Sequence, residues 1–304
     1  MTSSNNIILR IFASLFLLIS STSLAGILPN PATCAVANVT LNSIQVTDGL
    51  PPSGELLSQA YNATSCVGVY AGNDDAGGLN NPSPNIGQLG DGLLNGEDLL
   101  SGMEFITTTD LQALDPDGVK NDPGWIHLAH FNADNTGTNS GINYSSVGPV
   151  PGGSSTIDIG DLLSLALECT SGSLSDCDSM NWVLTTKLNI IDDVQALLGD
   201  ATFDHLAFSI KAGNENSGGG WAVYDFNFND IFATENNSLL NFNTPYKLGG
   251  TLNTADIGNK GVSHFNVWAR DPANTSTQVP EPSTLLIFVF GIMSLCLRVF
   301  KTNI

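Results

Sequence analysis

Short runs of alternating apolar and polar residues recur along the chain, separated by clusters of Gly, Asn, Asp and Pro. Thr40 to Thr47 sets Leu41, Ile44 and Val46 against Asn42, Ser43 and Gln45, slightly out of phase. Ser65 to Tyr70 is a short strand signal, and Trp125 to Phe131, Asn181 to Lys187 and Phe203 to Lys211 read the same way. In Trp221 to Phe228, Trp221, Val223, Asp225 and Asn227 oppose Ala222, Tyr224, Phe226 and Phe228. In Val262 to Arg270, Val262, His264, Asn266, Trp268 and Arg270 oppose Ser263, Phe265, Val267 and Ala269. Period-two alternation places alternate side chains on opposite sheet faces. The exception is Ile190 to Leu198, whose spacing predicts a short amphipathic helix stopped by Gly199. Turn-rich Asn73 to Gly96 and Gly137 to Gly153 read as loops. Many short strands joined by Gly/Asn turns predict an all-β ectodomain, a jelly-roll-like β-sandwich with few helices, over residues 26–270.

The two ends break this pattern. Arg10 precedes the apolar run Ile11 to Ile19, then small residues and Ser23-Leu24-Ala25. A positive start, a short apolar core and a small-x-small site make a secretory signal peptide over residues 1–25, with cleavage expected after Ala25. At the other end, 271–279 is a polar linker, followed by Pro280-Glu281-Pro282 and the uncharged run Leu285 to Leu297. Prolines hold the motif extended, because Pro fixes its own φ and disfavours helix in the residue before it. From Thr284 to Val299 the segment has about 16 residues, near the lower limit of the ~17–25 that span a bilayer as a helix. Arg298 and Lys301 can extend it to the headgroups and place the C-terminus on the cytoplasmic side.

A Pro-Glu-Pro motif, an apolar segment and a basic end together resemble the PEP-CTERM sorting signal of exported proteins in Gram-negative bacteria. This implies recognition by exosortase, a membrane-embedded cysteine transpeptidase, with only transient residence in the membrane. The basic end here is sparser than that signal usually carries, and an ordinary C-terminal anchor with a proline-rich linker is the alternative. Phe203-Asp204-His205-Leu206, Lys211-Ala212-Gly213-Asn214, Trp221-Ala222-Val223-Tyr224 and Ser263-His264-Phe265 are similar to segments of the ectodomains such proteins carry. So are Cys66-Val67-Gly68 with Gly72-Asn73-Asp74, and Asp122 to Ile126.

Charge narrows the partners. The formal net charge is −20, and almost all the acidic residues lie between the terminal segments, which themselves hold three of the nine basic ones. Such an acidic surface argues against nucleic acid or an anionic membrane face as partner, and suits divalent cations or neutral extracellular polysaccharide. Of five cysteines, Cys296 lies in the tail. Cys34, Cys66, Cys169 and Cys177 form an even set, as expected of disulfides in an oxidising compartment. Proximity in sequence favours Cys34–Cys66 and Cys169–Cys177 among three possible pairings. A zinc site is the alternative, but no CxxC spacing occurs.

No GxSxG, phosphate-binding glycine loop or dinucleotide fingerprint is present. His127 and His130 are three apart on a strand and are expected to face opposite sides, which argues against a shared metal. His205 and His264 are expected to be partnered structural residues. Trp221 and Trp268 could stack on sugars, with core packing the favoured role. Asp115, Asp117 and Asp122 around Gly118 offer clustered oxygens of the kind calcium takes. Asp91 with Asn95, Glu97 and Asp98 does likewise, and solvated Asx turns are the competing reading for both. The expectation is a non-enzymatic surface or matrix protein, with a secreted carbohydrate-active enzyme as the alternative.

Overall fold

A computed structural model describes residues 33–47, 54–74, 81–133, 141–150, 152–170, 176–198, 203–213 and 219–270. The expected signal peptide with Ala25 and the sorting tail with Pro280, Glu281 and Pro282 lie outside these residues. Among the described residues no helix is long and apolar enough to cross a membrane.

The strands in chain order are β1 (Val39–Val46), β2 (Tyr61–Asn62), β3 (Ser65–Ala71), β4 (Trp125–Asn132), β5 (Ile142–Tyr144), β6 (Ser146–Val147) and β7 (Ile157–Asp158). They continue with β8 (Leu163–Cys169), β9 (Ser179–Thr186), β10 (His205–Ala212), β11 (Gly220–Asn227), β12 (Tyr246–Asn253) and β13 (Val262–Arg270). Two short helices, α1 (Ile190–Leu198) and α2 (Phe228–Glu235), complete the set with a few 3-10 turns. The fold is therefore mostly β, as expected. The segment 137–153, expected to be only loop, carries β5 and β6 in its described part. Phe228, expected to end a strand, opens α2, where Asn227 caps the helix by accepting a bond from the Asn229 amide.

One sheet has the order β2-β1-β12-β9-β8 and the other β3-β11-β10-β13-β4-β5, with β6 and β7 as a separate ribbon. Neighbouring strands run antiparallel throughout. Trp182 of the five-stranded sheet meets Phe208 of the six-stranded sheet at 4.8 Å between ring centroids, and Phe208 in turn stacks on Phe265 at 5.0 Å. This contact is the centre of a core that fills the space between the sheets. Strand β8 shows the simple pattern, with Leu163, Leu165 and Leu167 buried and Ser164, Ala166 and Glu168 exposed.

The six-stranded sheet is different, because β10 is buried at every residue and β11 and β13 at nearly every one. Its inner face packs on the other sheet through Phe208, Tyr224, Phe226, Phe265 and Val267. Its outer face lies under the long connection from β3 to β4. Leu93, Leu94, Leu100 and Ile106 of that connection form a second apolar cluster with Trp125, Trp221, Val223 and Trp268. Both disulfides close as sequence proximity favoured, Cys34–Cys66 and Cys169–Cys177, with Cα separations of 6.1 and 5.7 Å.

Candidate functional site

All four histidines of the chain lie on the outer face of the six-stranded sheet. The expectation that His127 and His130 point apart is overturned by a register shift between β4 and β13. His130 pairs with Asn266, Ala129 with Val267, but His127 with Trp268, so Leu128 is an extra residue. A bulge of this kind changes the phase of the alternation. Both imidazoles then address one side chain: His130 Nδ1 lies 2.7 Å from Asn266 Oδ1 and His127 Nε2 lies 3.4 Å from it. His127 Nδ1 is also 2.6 Å from Ser145 Oγ. Burial holds His127 neutral, with its pKa lowered to about 3.

Beside this pair, the fully buried carboxylate of Asp74 gathers partners from β10 and β13. Ser209 Oγ donates to it, His264 Nε2 contacts its other oxygen, and Asn266 Nδ2 donates at 3.4 Å. Ser209 and His264 both bond the carboxylate and not each other, so the order needed for a relayed nucleophile is absent from this trio.

At the opposite end of the sheet, His205 Nδ1 lies 3.0 Å from both oxygens of Asp225, and Arg270 Nη1 donates to Asp204 Oδ1 at 3.2 Å. Burial alone would lower the His205 pKa, but the hydrogen bond and charge of Asp225, helped by Asp204, outweigh it and leave it raised. Arg270 also donates through Nε to Pro123 O at 3.0 Å and through Nη2 to Asp110 O, which ties the covering loop to the sheet. His205 and His264 are thus partnered, as expected. Trp221 and Trp268 are fully buried, so they pack in the core and present no face to a sugar.

The loop residues expected as calcium ligands mostly engage backbone. Asp122 is buried, and its two oxygens accept from the Leu89 and Leu114 amides at 2.9 and 2.7 Å. Asp115 Oδ1 accepts from Asp117 N at 3.0 Å, and Asp117 Oδ1 from Val119 N at 2.7 Å, each two residues on. These are Asx turns. Asp91 Oδ2 accepts from the Ile86 and Gly87 amides, and burial raises its pKa. Among the described residues no three His, Cys, Asp or Glu side chains converge in a way that could hold a metal.

Sequence reasoning missed Asn85 and Asn95. Strand β5 covers only Ala129 to Phe131 of β4, so the first half of β4 needs other partners. Asn95 supplies them to Trp125, accepting from its amide at 3.0 Å and donating to its carbonyl at 2.7 Å. Asn85 does the same for His127 at 2.8 and 2.6 Å. Two buried side-chain amides thus imitate a neighbouring strand.

A cavity of about 140 Å³ lies between the sheets at the end flanked by α1 and α2. Among the described residues its walls are almost wholly aliphatic and aromatic, and none of those lining it is a carboxylate. No protein-family model, curated protein or solved structure matches this chain.

Proposed function

We propose that this chain is an exported, non-enzymatic surface or matrix protein, delivered by its C-terminal Pro280-Glu281-Pro282 signal to an exosortase-type transpeptidase. Neutral exopolysaccharide is the partner its acidic surface suits. The observation that carries the reading is the closure of both disulfides within a β-sandwich whose larger sheet is covered on both faces. Disulfides fit an oxidising, extracellular or periplasmic compartment. A glycosidase needs two carboxylates facing a common cleft. The buried carboxylates Asp204 and Asp225 are bonded to Arg270 and His205, and no described residue lining the cavity is an acid. A jelly-roll-like reading is supported by the nested pairs β1 with β12, β3 with β11 and β8 with β9, while β13, between β10 and β4, departs from that nesting.

The test is the intact mass of the protein recovered from the cell surface or medium of its host, with and without a working exosortase. The expected major species lacks residues 1–25 and the apolar run Leu285 to Leu297, and it disappears when the transpeptidase is inactive. A major species that keeps that run would make the tail a permanent anchor.

A further inference from the structure

We infer that the cavity between the sheets is a binding site for a small, neutral, apolar molecule, such as an aromatic ring or a short alkyl chain with an uncharged head. Its size decides the class. An apolar cavity of about 150 Å³ stays dry and accepts a benzene-sized guest, and this one measures about 140 Å³. Water is held weakly there, because an ordered water needs two to four polar partners and the few polar groups of the lining are already bonded. The walls come from both sheets and both helices, including Ile126, Leu184, Leu206, Val194 and Phe232. Apolar walls on several sides favour a guest that packs against all of them.

The polar groups of the lining exclude a charged ligand. Tyr246 Oη donates to Leu239 O at 2.8 Å and accepts from the Asn241 amide at 2.8 Å. Thr186 Oγ1 donates to Tyr246 O at 2.9 Å, and Thr244 Oγ1 to Asn241 Oδ1 at 3.0 Å. His205 is paired with Asp225. Lys187, just before α1, gives its ammonium to Gly160 O at 3.2 Å. The first turn of α1 adds Asp192 and Asp193. A carboxylate or phosphate would have to leave water beside these acids and would find the nearby cations already engaged. Leu188 and Leu239, exposed at 58% and 56%, sit in the segments bordering the lining residues and give an apolar guest a compatible approach.

The purified full chain, with methyl groups labelled with ¹³C, is titrated with benzene, 1-hexanol and hexanoate while the Ile159, Leu162 and Leu184 methyl signals are followed by NMR. Saturable shifts are expected with both neutral probes, with hexanoate weaker by about tenfold or more because its charge must be desolvated. Absence of saturable shifts with benzene and hexanol overturns the site, and equal affinity for hexanoate overturns its neutral character. Val194→Phe, on the cavity wall, should fill the space, keep the melting point and abolish the shifts. Ile191→Phe on the same helix serves if that variant does not fold. A folded, filled variant that binds like the wild type places binding elsewhere and overturns the inference.

Discussion

Asn95 sits where a residue of slightly different chemistry would unpair a strand. Its amide accepts from Trp125 N and donates to Trp125 O and Asp91 O. Asn95→Asp keeps the shape but cannot donate, so two carbonyls lose their partner and face a buried charge. An unsatisfied buried polar group costs about 1–3 kcal/mol, and urea unfolding should show a loss of at least that size. Wild-type stability for this variant would mean that the first half of β4 does not depend on Asn95. Asp225 poses a similar question with charge. Asp225→Asn leaves His205 without its hydrogen-bonded anion in a buried setting, with Asp204 left at 4.0 Å, and removing one partner of a buried ion pair costs about 3–5 kcal/mol. Because the folded pKa of His205 is raised, its contribution is fully present below the unfolded value and is lost as pH rises through the folded one. The wild-type advantage over Asp225→Asn should therefore be largest on the acid side of neutrality and shrink in alkali. An advantage that grows with pH would mean that His205 is neutral in the fold. Neither asparagine nor the bulged histidine pair was legible in sequence, because each depends on which strand lies alongside, a non-local fact.

At the scale of elements, β13 and α1 were legible to the residue, since alternation and helical spacing there are clean. Strands β8 and β12 were not expected. In β8 the alternation is present, but Leu, Ala and Glu are good helix formers and speak against a strand. In β12 the obstacle is Gly249-Gly250, a pair depleted in strands. Gly250 has a packing reason, because a Cβ there would come within 1.8 Å of Thr40 O and 2.8 Å of the Trp182 ring. Gly250→Ala should thus push β12 away from β1 and cost about 1–3 kcal/mol or more by overpacking. A thermal melt within a degree of wild type would show that the sheets absorb a methyl group there. The disulfides tie elements in unequal loops. Cys34–Cys66 joins the segment before β1 to β3 across 32 residues, and Cys169–Cys177 joins β8 to the approach to β9 across 8. On loop-closure entropy these contribute about 3.7 and about 2.5 kcal/mol respectively. Replacing each pair by serines and comparing unfolding free energies should give the larger loss for Cys34–Cys66, and the reverse order would point to strain or to structure in the unfolded chain.

Over the whole molecule, the β class and the short-strand spacing followed from pattern, but the covering of the larger sheet did not. Leu93, Leu94, Leu100 and Ile106 are scattered among Asp, Gly and Asn, so their stretch reads as a polar loop and reveals its apolar side only when folded onto the sheet. That covering is what buries the histidine face, and it should make the fold sensitive to acid. His127 ordinarily titrates near 6.5, but in the fold burial lowers its pKa to about 3. Above 6.5 both folded and unfolded chains hold it neutral, and it contributes no pH dependence. As pH falls from 6.5 towards 3 the unfolded chain binds a proton that the folded chain refuses, so stability is lost over that window. The slope from this group is about 1.4 kcal/mol per pH unit. Many carboxylates titrate in the same range, so the decisive quantity is a difference between proteins. His127→Asn removes the titrating ring while keeping a side chain that can bond Ser145 or Asn266. Urea unfolding of both proteins between pH 4 and pH 6 should give a steeper acid loss for the wild type, by about 1.4 kcal/mol per pH unit. Parallel slopes would show that the folded chain protonates His127 as easily as the unfolded one, and that the loop over the larger sheet opens enough to let the charge be solvated.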